Sequence, residues 1–130
     1  MKVFESSNGF TIKIGENANE NERLYQSSSQ NDLWFHLQNV SSAHGILVIS
    51  NKSKVKLSTI KQDILETAML IKHFSKQKNN HISKVIYCYN KNIKKTPNGQ
   101  TGQVSLGKKP SVLSVRKNDQ LMEEILKTRK

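Results

Sequence analysis

The sequence is poor in cysteine, and that absence narrows its chemistry first. Cys88 is the only thiol, so the chain cannot close an internal disulfide or assemble a cysteine-based zinc site. Proline and glycine are also sparse, at two and six of 130 residues, which argues against disorder throughout. No run of about 18 apolar residues occurs, and "MKVFESSNGF" has no apolar signal-peptide core. The expectation is a soluble, cytoplasmic protein with a modest core, since only 35% of its residues are hydrophobic. Arginine is scarce too: of 21 basic residues, 18 are lysine and three arginine.

What is present is positive charge, unevenly distributed. The net charge is +11; residues 1–50 carry three basic and five acidic side chains, and residues 51–130 carry eighteen and five. The positive field therefore belongs to the second part of the chain. Polyanions are its natural partners, because counterions released from a phosphate backbone favour binding to a lysine-rich face. Lysine and asparagine enrichment by genome composition is the alternative source of the same charge.

The pattern predicts an α+β fold: one domain with a mostly antiparallel sheet of about six strands packed on one long helix, and a C-terminal helix. Lys2–Glu5 and Phe10–Gly15 flank the turn "SSNG" as a hairpin. "ENANENERLYQSSS" reads as a polar, partly helical connection anchored by Leu24 and Tyr25. Leu33–Gln38 and Gly45–Ser50 are strands, and the all-apolar "ILVI" suits a position covered on both faces. Ser58 caps a helix expected to reach Asn79, with Ile60, Ile64, Ala68, Ile71 and Phe74 as its core stripe. Lys61, Lys72 and Lys76 line one flank of that stripe, and Asp63 and Glu66 lie on the other. "SKVIYCYN" is a strand, "KNIKKTPNGQTG" a loop, and Gln103–Leu106 and Ser111–Val115 are further strands. Asn118 or Asp119 starts the last helix, whose Leu121, Met122, Ile125 and Leu126 either dock on the sheet or open a coiled coil. The domain division expected is 1–117 for the main body and 118–130 for this helix.

Few residues read as catalytic. "GQVSLGKK" mimics a P-loop but puts Lys109 where a magnesium-binding hydroxyl belongs, and Pro110 where a helix should start. His36 and His44 lack a third metal ligand, and the nearest carboxylate, Asp32, need not face them. Cys88 alternates with Tyr87 and Tyr89 as a small core residue. By strand alternation Trp34, His36 and Gln38 share one face while Leu33, Phe35 and Leu37 share the other. Trp34 and His36 are then either a buried pair in a second layer or a stacking surface for a ligand. The basic loop is the stronger candidate: Lys94 and Lys95 precede Gly99 and Gly102, whose exposed N–H groups would form an anion nest. Lys91, Lys108, Lys109, Arg116 and Lys117, nearby in sequence, would extend it into a phosphate-tracking face on the last strands. No cofactor is expected, and no metal.

Three blocks in order resemble one family. "NDLWFHLQNVSSAHGILVI" resembles the Asp-x-Trp-Phe-His strand, loop and small-small-His strand of the NFACT-R domain. "GENANENERL" resembles the Gly-basic-Asn and Asn-acidic segment before it, and "KKTPNGQTGQVSL" the Lys-Lys-x-x-x-Gly-x-x-Gly-x-Val loop after it. The likeness covers nearly the whole chain and is nearest to standalone eukaryotic members, which continue into a coiled coil. It implies RNA binding, of tRNA or rRNA, at the large ribosomal subunit during ribosome quality control. It also implies contact roles for Gly15, Asn17, Trp34, His36, His44, Lys94, Lys95, Gly99 and Gly102. Glu16 departs from the basic residue usual there. The other domains of large members are absent from these 130 residues, so activities that depend on them do not carry over. The expected function is non-catalytic binding of structured RNA. The alternatives are a DNA-binding module and a protein-interaction module that self-associates through the C-terminal helix.

Overall fold

A computed structural model describes residues 1–52 and 54–130. Six strands form one antiparallel sheet: β1 (Lys2–Glu5), β2 (Thr11–Ile14), β3 (Leu33–Leu37), β4 (Gly45–Val48), β5 (Ile82–Tyr89) and β8 (Ser111–Arg116). Their order is β1-β2-β4-β3-β5-β8. β6 (Ile93–Lys95) and β7 (Val104–Leu106) pair only with each other, as a separate hairpin. The α+β class and the six-stranded sheet agree with the sequence reading.

Alternation along β3 sends its two sets of side chains into two different cores. Leu33, Phe35 and Leu37 join the main core with Ile64, Ala68, Leu70 and Ile71 of α2 (Lys61–His73). Trp34 lies on the opposite face, with Ile46 beneath it and Leu24 and Tyr25 of α1 (Ala18–Ser27) above it. Ile93 of β6 closes this second core. The sheet is therefore covered on both faces at β3 and β4, as the apolar "ILVI" run demands.

The long helix is shorter than its periodicity predicts, 13 residues instead of about twenty. Ser58 does not cap it; it lies in a 3₁₀ turn, Leu57–Thr59, and Ile60 precedes the helix without a side-chain cap. At the other end Ser75 competes for the backbone. Its hydroxyl donates to Lys72 O at 2.6 Å and accepts from Gln77 N at 3.0 Å, so the chain leaves the helix in successive turns. The acidic flank is not solvated: Asp63 and Glu66 are buried under the β1–β2 turn. Asp63 accepts from Asn8 N at 3.0 Å and Asn8 Nδ2 at 2.7 Å, and Glu66 accepts from Ser7 N at 2.8 Å and from the Ser7 hydroxyl.

α3 (Asp119–Leu126) begins as expected, with the Asn118 side chain accepting from Leu121 N at 3.0 Å. Its apolar stripe docks: Met122 and Ile125 are buried in the main core, with Leu121 and Leu126 packed beside them. The residues after it tie down the first strand, since Glu5 N donates to Thr128 Oγ1 and Lys130 N donates to Val3 O. One sheet edge is thus covered, and the other, β8, pairs only with β5. Among the described residues no helix is long and apolar enough to cross a membrane.

Candidate nucleic-acid interface

Trp34 is almost completely buried, and its indole N–H donates to Nδ1 of buried His44 at 3.2 Å. That bond requires an unprotonated Nδ1, which makes His44 a neutral imidazole carrying its proton on Nε2. Burial pushes the His44 pKa down to about 3; neighbouring His36 acts in the same direction and a Gly102 backbone hydrogen bond opposes it. His36 is half-buried, stacked on Trp34 with centroids 5.6 Å apart and planes 8° apart. Its Nδ1 lies 2.7 Å from Leu37 O, a carbonyl that can only accept, so Nδ1 carries a proton and donates it to that oxygen. Burial lowers its pKa too, against that carbonyl.

Backbone geometry locks this aromatic group in place. The Gly15 N–H donates to His44 O at 3.0 Å, and the His44 N–H donates to Asn21 Oδ1 at 3.1 Å. A Cβ on Gly15 would stand 2.0 Å from that Asn21 oxygen, so the glycine makes room for the amide. Asn17 caps α1, accepting from Glu20 N at 2.9 Å. Gly102, at φ +88°, brings the β6–β7 loop within 3.2 Å of Ala18 O, measured from where its Cβ would be. The motif residues Gly15, Asn17, Trp34, His44 and Gly102 thus meet in one place and hold one another there.

Asp32 serves the scaffold as well. It is buried and accepts from Ile49 N and Ser50 N, each at 2.9 Å, and from Ser29 N at 3.2 Å. Its carboxylate thus anchors the backbone just after β4 and just after α1, not the histidines.

A cleft of about 850 Å³ opens above the aromatic group. Its walls are the Gly15–Asn17 segment, the 39–44 loop and the 100–104 loop, with His36, Ile86 and Leu106 at one side. Its polar lining is mostly amides and hydroxyls, from Asn17, Asn21, Asn39, Ser41, Ser42, Thr96, Gln100, Thr101 and Gln103, interspersed with apolar side chains. Lys2 and Glu16 are its charged residues, and they pair at 3.4 Å. Glu16 also lies 3.7 Å from Arg129 and from the N-terminal amine, so the acidic departure from the family pattern is locally balanced.

The lysines singled out from the sequence lie outside the cleft. Lys61 and Lys76 are exposed, but Lys76 stands in the turns after α2. Lys72 is buried, with Nζ donating to Lys78 O at 2.9 Å, so the expected three-lysine flank does not exist. Burial lowers the Lys72 pKa, and Lys117 adds to the effect. Lys94, Lys95, Lys108 and Lys109 are exposed, but Lys95 pairs with Glu22 at 3.0 Å and pins β6 to α1. The loop is not an open anion nest. Gly99 N donates to Thr96 O, Gln100 N to Gln103 Oε1 and Gln103 N to Gln100 O, so those donors serve the loop itself.

Sequence reasoning missed Asn21 and Lys84 and gave Asp32 no structural role. Asn21 and Asp32 had a signal, the Asn-acidic and Asp-x-Trp elements of the resembled motifs. Lys84 had none beyond its charge, because only the strand register brings it to the same face as Arg116.

The fold and this cluster define a two-core α+β domain whose signature residues build a cleft beside a cationic surface. The chain belongs to the NFACT-R family: the family model described as "NFACT protein RNA binding domain" matches residues 1–108. It is 30% identical over 129 residues to coiled-coil domain-containing protein 25 of Bos taurus, covering 95% of this chain and 61% of that protein. It is 30% identical over 100 residues to the Rqc2 homolog RqcH of Bacillus subtilis (strain 168), covering 76% of this chain and 16% of that protein. Among solved structures, the C-terminal part of the fibronectin/fibrinogen-binding protein from Streptococcus suis superposes with a TM-score of 0.81 at 19% identity. That match covers 95% of this chain and 48% of the other, and shows the fold alone.

Proposed function

We propose that this chain is a non-catalytic domain that binds structured RNA, tRNA or rRNA, at the large ribosomal subunit in ribosome quality control. The observation that carries the reading, beside the family match, is the charge of one long segment. Residues 67–118, which include β5 to β8, contain no aspartate or glutamate and eleven lysines and arginines. Two of the carboxylates outside it, Asp63 and Glu66, are buried and hydrogen-bonded, which limits their screening of that surface. Lys94, Lys108 and Lys109 meet phosphates, and the amide-lined cleft beside the aromatic group selects shape through hydrogen bonds. The relation to RqcH supports the quality-control setting.

The test is a triple variant, Lys94→Ala with Lys108→Ala and Lys109→Ala, titrated against an RNA hairpin at several salt concentrations. Each lost phosphate contact lowers the slope of log affinity against log salt by about 0.9. The reading expects weaker binding and a slope shallower by about 2 to 3. Unchanged affinity and slope would remove these lysines from the interface.

A further inference from the structure

The sheet face opposite α2 is covered over only part of its width. α1 and the β6–β7 hairpin lie over Trp34, Ile46 and the Cys88 end of β5, while β8 and the first half of β5 stay open. The register arranges this open part in rows. His36 stands opposite Ile86, which stands opposite Val112; Lys84 stands opposite Ser114, with Gln38 beside it; Ile82 stands opposite Arg116. Residues directly opposite in an antiparallel pair share a face, and successive rows are about 6.8 Å apart. The platform therefore alternates apolar and cationic side chains in two directions.

Its apolar members are unusually bare: Val112 is 45% exposed and Ile82 41%. Lys84 and Arg116 are exposed, and Arg116 Nη1 lies 3.4 Å from His81 Nε2, two planar groups at the end of the sheet. No carboxylate occurs in the sequence between Glu66 and Asp119, so both strands of this face are free of negative charge. The platform is continuous with the cleft, because His36 and Ile86 belong to both.

We infer that this open face of β5 and β8 holds an unpaired RNA segment of about two or three nucleotides, with bases on the apolar rows and phosphates at Lys84 and Arg116. The inference rests on the RNA-binding reading above and adds to it a second kind of contact. A duplex presents phosphates and riboses and would leave Ile82 and Val112 uncovered. An unstacked base has an apolar face that covers such side chains whatever its identity, and an arginine plane stacks on it as well. The cleft would then receive the strand where it leaves the sheet at His36.

The experiment measures fluorescence anisotropy of the 130-residue chain with two labelled RNAs, an unstructured oligonucleotide of about eight nucleotides and a hairpin with a minimal loop. One variant, Ile82→Thr with Val112→Thr, keeps β-branched side chains at exposed strand positions. The expected result is an affinity for the oligonucleotide lowered about five-fold or more at an unchanged salt slope, with hairpin binding nearly intact. A second variant, Lys84→Gln with Arg116→Gln, is expected to weaken oligonucleotide binding and to reduce its slope by about 1.4. Oligonucleotide binding unchanged in both variants, while the hairpin still binds, would overturn the platform and leave the broader reading standing. Failure of the unmodified chain to bind either RNA would overturn both. Displacement of the oligonucleotide by polyglutamate at equal charge would also overturn it, assigning the face to an acidic protein segment.

Discussion

The neutral, buried His44 makes the stability of this domain depend on pH, with a sign and a size that follow from its environment. Its pKa falls from the ordinary 6.5 to about 3 on folding. Between those two values the unfolded chain carries a proton on His44 that the native state does not accept, so the native state loses stability as pH falls. The loss begins near pH 6.5, deepens through the acid range and levels off near pH 3. At about 1.36 kcal/mol per pH unit it reaches about 3 kcal/mol at pH 4.5, a large part of the total for a small domain. His36, also lowered by burial, adds to the loss in the same direction. The assay is urea unfolding from pH 7.5 to pH 4.5, followed by fluorescence of the single tryptophan, which goes from 1% exposed to solvated. A His44→Gln variant can still accept the Trp34 N–H through its amide oxygen but does not titrate. Its stability should fall much less between those pH values than that of the unmodified chain. Equal pH dependence in the two proteins, or a His44 resonance that titrates near its ordinary pKa in the folded state, would refute the reasoning.

Two further expectations concern buried groups. Asp32→Ala leaves the N–H groups of Ser29, Ile49 and Ser50 without their acceptor, and should cost about 2–4 kcal/mol in a chemical melt; a loss below about 0.5 kcal/mol would show that water replaces the carboxylate. Burial raises the Cys88 thiol pKa to about 11, so at pH 8 a thiol reagent should label it far more slowly in the folded chain than in denaturant; equal rates would place it at the surface.

The strands were legible where alternation is strong, and α1 was legible through Leu24 and Tyr25 alone, the two apolar anchors of a polar segment. β6 was not, because Ile93–Lys95 offers one buried residue and pairs outside the main sheet. The overlong helix came from extending a periodicity past Ser75, whose hydroxyl breaks the backbone pattern in a way that periodicity does not register. Lys72 sits at a flank position in sequence, but its ammonium is buried against the Lys78 carbonyl, a partner created by the very turn that ends the helix. The signature motifs were legible, and the work of their residues was harder to read. Whether Trp34 and His44 pack or touch a ligand depends on an indole–imidazole bond between neighbouring strands and on an asparagine that Gly15 accommodates. Both are tertiary facts, and both assign these residues to shaping the cleft. His36 alone of the aromatic group stays half-exposed at the cleft's edge.

The most direct measurement of the central claim is the affinity of the unmodified chain for an A-form RNA hairpin and for a B-form DNA duplex of the same length and charge, across a range of salt. The account predicts that log affinity falls linearly with log salt, with a slope steeper than about −2.5 for three or more phosphate contacts, and that RNA binds more tightly at every salt concentration. Affinity that does not respond to salt, or DNA bound as tightly as RNA, would contradict it.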